Sequence, residues 1–200
     1  MEIKQAIELG DNIKEKISEI FVDAFYEHFE YFSKDTSKLI KAFSHMFVIE
    51  YFYVAIINNE IAGMIACMDK EHFCINHNRK ILINNLGLIK GLFLSIIFRY
   101  YFNKYPKYSI EMDEKTCSVE FAATNKKYKR MGVASKIMEY LLNLSEYNHY
   151  IVEVADNNIN SLGLCKKMGF KEVLRKKMKY GKKHSGINYL VYLKYSKDVV

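Results

Sequence analysis

The chain has 200 residues, half of them hydrophobic, and 30 Lys and Arg against 23 Asp and Glu give it a formal net charge of +7. This size and apolar fraction suit a single domain with a sizeable core, and one Pro with nine Gly supplies no linker tract to divide it. The first residues lack a signal peptide's apolar stretch, and the longest apolar region, 81–102, carries Asn84, Asn85, Lys90 and Arg99, which argues against a bilayer span and for an amphipathic or buried helix.

In chain order, residues 2–9 read as a strand that Gly10 and Asp11 end, with Asp11 able to cap the helix after it. Ile13, Ile17, Ile20, Phe21, Ala24 and Phe25 recur at helical spacing, so 12–29 is expected to be an amphipathic helix, and 36–47 a second one. Strands over 51–57 and 60–68 should form a hairpin, because Asn58 and Asn59 tolerate the positive φ of a tight turn. A long excursion comes next, about 69–115, with one strong helix near 86–102. Beyond it come a fourth strand (116–124), a helix (131–144), a fifth strand (150–155), a helix (160–168) and a sixth strand (171–179). A turn over 181–186 leads to a seventh strand (187–195). Strands and helices alternating in this way predict one mixed α/β sheet spanning residues 1–200, with 69–115 as an insertion between strands three and four.

Cys67, Cys74, Cys117 and Cys165 form no C-x-x-C pair and have no His at ligand spacing, and His28, His45, His72, His77, His149 and His184 are scattered. No metal site is expected, and the cysteines are expected to be reduced thiols in a cytoplasmic protein. Basic residues cluster between Lys166 and Lys183 without a nucleic-acid motif, so no nucleic-acid partner is expected, and without a bilayer span no membrane partner is expected.

The most informative stretch is 119–170. The apolar run Glu120-Phe121-Ala122-Ala123-Thr124 leads into a basic, small-residue turn, Lys129-Arg130-Met131-Gly132-Val133-Ala134-Ser135, and then a helix. A strand, such a turn and a helix N-terminus together make a pyrophosphate cradle: the first N–H groups of the helix lack intrahelical partners, and the dipole favours negative charge there. Gly132 and Ala134 leave room for a ligand to approach the backbone.

Residues 129–134 resemble the acyl-CoA signature of the GCN5-related N-acetyltransferases, Gln/Arg-x-x-Gly-x-Gly/Ala. Asn158, Leu164, Lys167, Gly169 and Phe170 are similar to that family's later pattern, Asn-x-x-Ala-x-x-Leu-Tyr-x-Lys-x-Gly-Phe, with Ser161 in place of Ala. Two departures stand out: Lys129 replaces Gln or Arg, and Cys165 replaces the Tyr that can protonate the departing thiolate. The resemblance implies a mostly antiparallel seven-stranded sheet flanked by helices, acetyl-CoA as co-substrate, and direct transfer to an amine in a ternary complex. It also implies that main-chain groups of Ala122, Ala123 and Thr124 hold the pantetheine arm, that residues 129–135 and Lys167 contact the cofactor, and that Asn158 supplies an amide.

Glu120 is the candidate base that takes the amine's proton, with an outward-facing strand carboxylate as the alternative. Cys165 reads as core filler, as a substitute acid or as a nucleophile, and Tyr128, Tyr180 and Tyr189 are other candidate acids. The rival function is a catalytically weak acyl-CoA-binding or sensing module. A small-molecule or peptide amine is expected as acceptor, and a homodimer is a possible assembly.

Overall fold

The first strand, β1 (Glu2–Gln5), is half as long as the sequence suggests, because Ala6–Leu9 winds into a 3-10 turn in which the Glu8 carboxylate accepts from the Gln5 N–H at 2.9 Å. The structure is a computed structural model describing residues 1–102, 109–178 and 186–197. Tyr180, the expected turn as far as Ser185, and the tyrosines at 105 and 108 lie outside the described residues.

Next come α1 (Ile13–Phe29), α2 (Thr36–Phe43), β2 (Phe52–Ile57), β3 (Glu60–Met68), α3 (Arg79–Leu86) and α4 (Leu88–Phe102). They are followed by β4 (Thr116–Thr124), α5 (Val133–Leu142), β5 (His149–Ala155), α6 (Ile159–Lys167), β6 (Lys171–Lys177) and β7 (Tyr189–Ser196). The strands form one sheet in the order β1-β2-β3-β4-β5-β7-β6, in which β4 and β5 run parallel and every other neighbour is antiparallel.

Asn58 and Asn59, at φ 51° and 61°, close the β2–β3 hairpin as their side chains allow. The central strands are buried on both faces. Phe52, Val54, Met64 and Ala66 pack under α1 to α4, whereas Tyr53, Ala55, Ile65 and Cys67 pack under α5 and α6. That is why β2 and β3 read as nearly continuous apolar runs.

Three expectations need correction. Asp11 makes no cap bond to α1; it pairs with Lys14 at 3.0 Å, and Asn12 occupies the cap position without a side-chain bond. The 69–115 insertion holds two helices, because Gly87 at φ 82° breaks the apolar run and Asn78 caps α3 through the Lys80 N–H. Cys67 and Cys117 are joined rather than reduced. The register pairs Cys67 with Val119, so Cys117 is its diagonal neighbour on the same face, with Cα atoms 6.1 Å apart. Cys74 and Cys165 are free and buried.

The α3–α4 corner depends on a close approach. A Cβ on Gly91 would lie 2.5 Å from the Ile83 Cα, whereas one on Gly163 in α6 would meet nothing within 4 Å. Gly91→Ala should therefore lower the unfolding free energy in urea by about 1–3 kcal/mol. Gly163→Ala should raise it by about 0.5–1 kcal/mol, since only the backbone entropy of a helical glycine changes there.

Candidate active site

Strands β4 and β5 pair over three positions, Thr116 with His149, Cys117 with Tyr150 and Ser118 with Ile151, and then part. Both continue, β4 to Thr124 against β3 and β5 to Ala155 against β7, so a wedge opens between two strand edges. A bulge shapes the β4 side. Along β3 the register passes from Ala66 opposite Glu120 to Met64 opposite Ala123, leaving Phe121 and Ala122 across from Ile65. Phe121 has φ 52°, a conformation that costs a non-glycine residue about 1–3 kcal/mol. Its ring lies 5.4 Å from that of Phe21 and 6.3 Å from that of Phe25, and this aromatic contact with α1 holds the bulge. Past the bulge Ala122 is exposed, Ala123 is buried and Thr124 is half-buried opposite Gly63.

The basic turn is pinned from three sides. The Asn125 N–H donates to the Ala62 carbonyl at 2.9 Å, and the Asn125 side chain accepts from the Lys127 N–H. The Tyr128 hydroxyl and the Lys127 ammonium both donate to Glu60 at 2.7 Å, and Lys126 pairs with Asp23 of α1. Arg130 (φ 65°) and Gly132 (φ 76°) then turn the chain sharply into α5. Lys129, Arg130, Met131 and Gly132 are exposed, Val133 is buried, and Ala134 and Ser135 are half-buried. Lys136 N–H is bonded to the Gly132 carbonyl at 3.0 Å, so the amides of Val133, Ala134 and Ser135 form the helix's open first turn. A Cβ on Gly132 would meet nothing within 4 Å, leaving the space above the turn clear for a pyrophosphate.

On the β5 side α6 starts at the same end of the wedge. Asn158 caps it by accepting from the Ser161 N–H at 3.1 Å, which leaves the side-chain nitrogen as the donor able to reach a ligand. Lys167 ends the same helix, roughly 12 Å along its axis, and is not brought to this end. Cys165 packs beneath α6 among Phe170, Leu193 and their neighbours, 2% exposed, and burial pushes its thiol up to about 11.

Glu120 is half-buried at the apex of the wedge, and its carboxylate accepts from the buried Ser118 hydroxyl at 2.6 Å. Its charge, after burial itself, helps raise the Cys74 thiol well above the ordinary range. Two residues past the last ladder pair on each strand, Glu120 and Glu153 occupy the same sheet face. Glu153 lies opposite Tyr192 of β7, whose hydroxyl accepts from Ser109 Oγ at 3.3 Å. Burial first, then Glu153, raise the Tyr192 phenol to about 12, and the Glu120 charge contributes. Ser118, Glu153 and Tyr192 were not found from the sequence; a lone acid inside the apolar run of β5 was the available signal. Of the tyrosines singled out there, Tyr128 is committed to Glu60, and Tyr189 lies under the Arg175 guanidinium at 5.8 Å. Among the described residues no three His, Cys, Asp or Glu gather as a metal site.

A seven-stranded sheet split at a parallel pair, with a basic glycine turn and a helix N-terminus at the split, is the architecture of the N-acetyltransferase fold. Residues 14–170 match the Acetyltransferase (GNAT) family, and the chain belongs to that family. An N-acetyltransferase from Staphylococcus aureus Mu50 is similar in structure, with a TM-score of 0.62 at 19% identity over 98% of this chain and 100% of that one. A protein from Pyrococcus horikoshii OT3 is also similar, with a TM-score of 0.59 at 16% identity over 99% of both chains. These likenesses concern the fold. No curated protein is similar enough in sequence to match.

The Tyr192 phenol, held neutral above its ordinary value of 10.0, stabilises the fold fully below pH 10, and this contribution is lost as pH rises toward about 12. Between pH 9 and pH 11.5, urea unfolding of Tyr192→Phe should therefore lose about 1–2 kcal/mol less stability than the parent. An equal loss in both would place the titration elsewhere.

Proposed function

We propose that the chain transfers an acetyl group from acetyl-CoA to a primary amine, both bound at once, with Glu120 as the base. The observation that carries this reading is the wedge, which puts a half-buried carboxylate beside an open strand edge and a helix N-terminus. Acetyl-CoA, when bound, supplies an acyl group activated as a thioester. The free main-chain edge at Ala122, Ala123 and Thr124 suits the pantetheine arm by strand addition. The amides of Val133, Ala134 and Ser135, with Lys129 and Arg130, suit the pyrophosphate.

The acceptor enters as an ammonium with a pKa near 10 and must lose a proton. Glu120, oriented by Ser118, takes that proton directly or through one water. Glu153 on the same face adds negative charge that favours an incoming cation. A departing thiol has a pKa of about 8.5, so it can leave as the thiolate near neutral pH without an obligatory acid. The buried Cys165 is consistent with such a mechanism. Small-molecule and peptide amines both fit as acceptors. Cys165 in the usual Tyr position also favours the second reading, an acyl-CoA-binding module with weak turnover.

Titration of acetyl-CoA by calorimetry, followed by an amine panel with thiol release monitored, separates the two. Binding with amine-dependent release supports the transferase, and binding without release supports the module. Glu120→Gln should lower kcat on the order of a hundredfold or more while cofactor affinity stays within about threefold. Unchanged turnover across the pH range would remove Glu120 from the base role. Gly132→Glu should abolish acetyl-CoA binding by placing a carboxylate in the anion site. Its fold should survive, since the new Cβ meets open space and the left-handed φ costs only about 1–2 kcal/mol. Normal binding by a folded Gly132→Glu protein would refute the phosphate assignment.

A further inference from the structure

Helix α4 carries apolar residues on opposite faces, yet only the inner face is covered. Gly91, Leu94, Ser95 and Phe98 face the core. On the opposite side Ile89, Phe93, Ile96 and Tyr100 stand 82%, 51%, 58% and 74% exposed. These four follow the i, i+4, i+7, i+11 spacing of one helical stripe. At 3.6 residues per turn, Lys90 falls on one flank of the stripe and Arg99 on the other, and both are exposed. Tyr31 extends the patch: it is 69% exposed and lies beneath the Lys90 ammonium, 5.6 Å from its ring centre.

The charge carried by α4 itself is of one sign, although Glu30 adjoins Tyr31 at the edge of the patch. Between Glu71 and Glu111 the sequence has no Asp or Glu, while it carries Arg79, Lys80, Lys90, Arg99, Lys104 and Lys107. We propose that the outer face of α4 docks on an anionic lipid surface, the apolar stripe entering the headgroup boundary and the flanking cations meeting lipid phosphates. An interfacial helix has this form: bulky apolar residues on one face, Lys and Arg at its edges, and aromatic hydroxyls at headgroup level. Charge decides against a second copy as the occupant. A symmetric pairing of the two α4 faces would bring Lys90 and Arg99 of each copy together, with no Asp or Glu on either α4 to offset them. No described helix is long and apolar enough to cross a membrane, so docking, rather than insertion across the bilayer, is what the face allows. The expected absence of a membrane partner rested on spanning alone, and a single exposed helix face does not need to span.

Co-sedimentation of the full chain with phosphatidylcholine vesicles, with and without phosphatidylglycerol, tests this at low and high salt. The chain should sediment with the phosphatidylglycerol vesicles, with binding that falls steeply as salt rises and is at least about tenfold weaker on phosphatidylcholine alone. The double variant Ile89→Ser, Ile96→Ser should lose at least about tenfold of that binding, because both side chains point away from the core. Circular dichroism melting checks that the variant stays folded, and Lys90→Glu with Arg99→Glu is a second test that leaves the stripe intact. Absence of vesicle binding, or binding that neither double variant weakens, overturns the proposal. So does a self-association in analytical ultracentrifugation that the Ile89→Ser, Ile96→Ser variant abolishes, which would make a second copy the occupant. None of these readouts depends on acetyl transfer.

Discussion

Three residue pairs hold β4 to β5, and the separation beyond them is the constraint on which the rest of the site depends. A parallel pair that stayed in register to the ends of both strands would use its edge groups in the ladder. It would also leave no space between the N-termini of α5 and α6. The strands part because each follows a different neighbour. β4 takes its course from β3 through the bulge at Phe121 and Ala122, while β5 pairs with β7 along all seven of its positions, from His149 to Ala155. The bulge is in turn held from outside the sheet by the rings of Phe21 and Phe25. The aromatic core under α1 thus sets the shape of a wedge to which α1 supplies no catalytic group.

The same arrangement concentrates polar chemistry. Two sheet faces are buried against helices, yet the face carrying Ser118 and Glu120 continues, past β4, to Glu153 and Tyr192. Two carboxylates on one face repel each other unless protons, hydrogen bonds or a cation offset the charge. Ser118 donates to Glu120 and so offsets part of its charge before any ligand arrives. A carboxylate held in this way suits the base role proposed for Glu120, because its geometry needs little reorganisation when an ammonium enters.

The elements legible in the sequence are those decided locally. The limits of β4 matched at both ends because its apolar run is bounded by Asp113 to Lys115 and by Asn125. The glycine turn into α5 was legible because positive φ, basic charge and a helix start all fall within seven residues. Contacts between distant segments were hidden. The Cys67–Cys117 link depends on register, and the Glu153–Tyr192 contact depends on the order β5-β7-β6, which brings residues far apart in the chain side by side. The break at Gly87 was hidden for another reason: apolar residues continue across it, and periodicity cannot register a helix that ends and restarts in phase with its own hydrophobic run.

That same run explains why α4 escaped a simple description. The sequence reads as an amphipathic or buried helix over 81–102, and apolar residues on opposite faces of one helix leave open which face is covered. The fold covers the half facing α3, α1 and α2, because Gly91 draws α4 onto Ile83 and Phe98 packs on Phe29 and Phe43, while Ile89, Phe93 and Ile96 on the far side stay exposed. Selection for stability alone tolerates polar residues at such positions, since they contribute little to the core. Phe93 stacks on Phe32 at 6.1 Å, but Ile89 and Ile96, on a helix that carries cations and no acid, are 82% and 58% exposed and contribute little to the core. The wedge and the outer face of α4 are therefore separate features of one chain: the first is shaped by strand geometry, and the second is the face proposed to meet an anionic lipid surface.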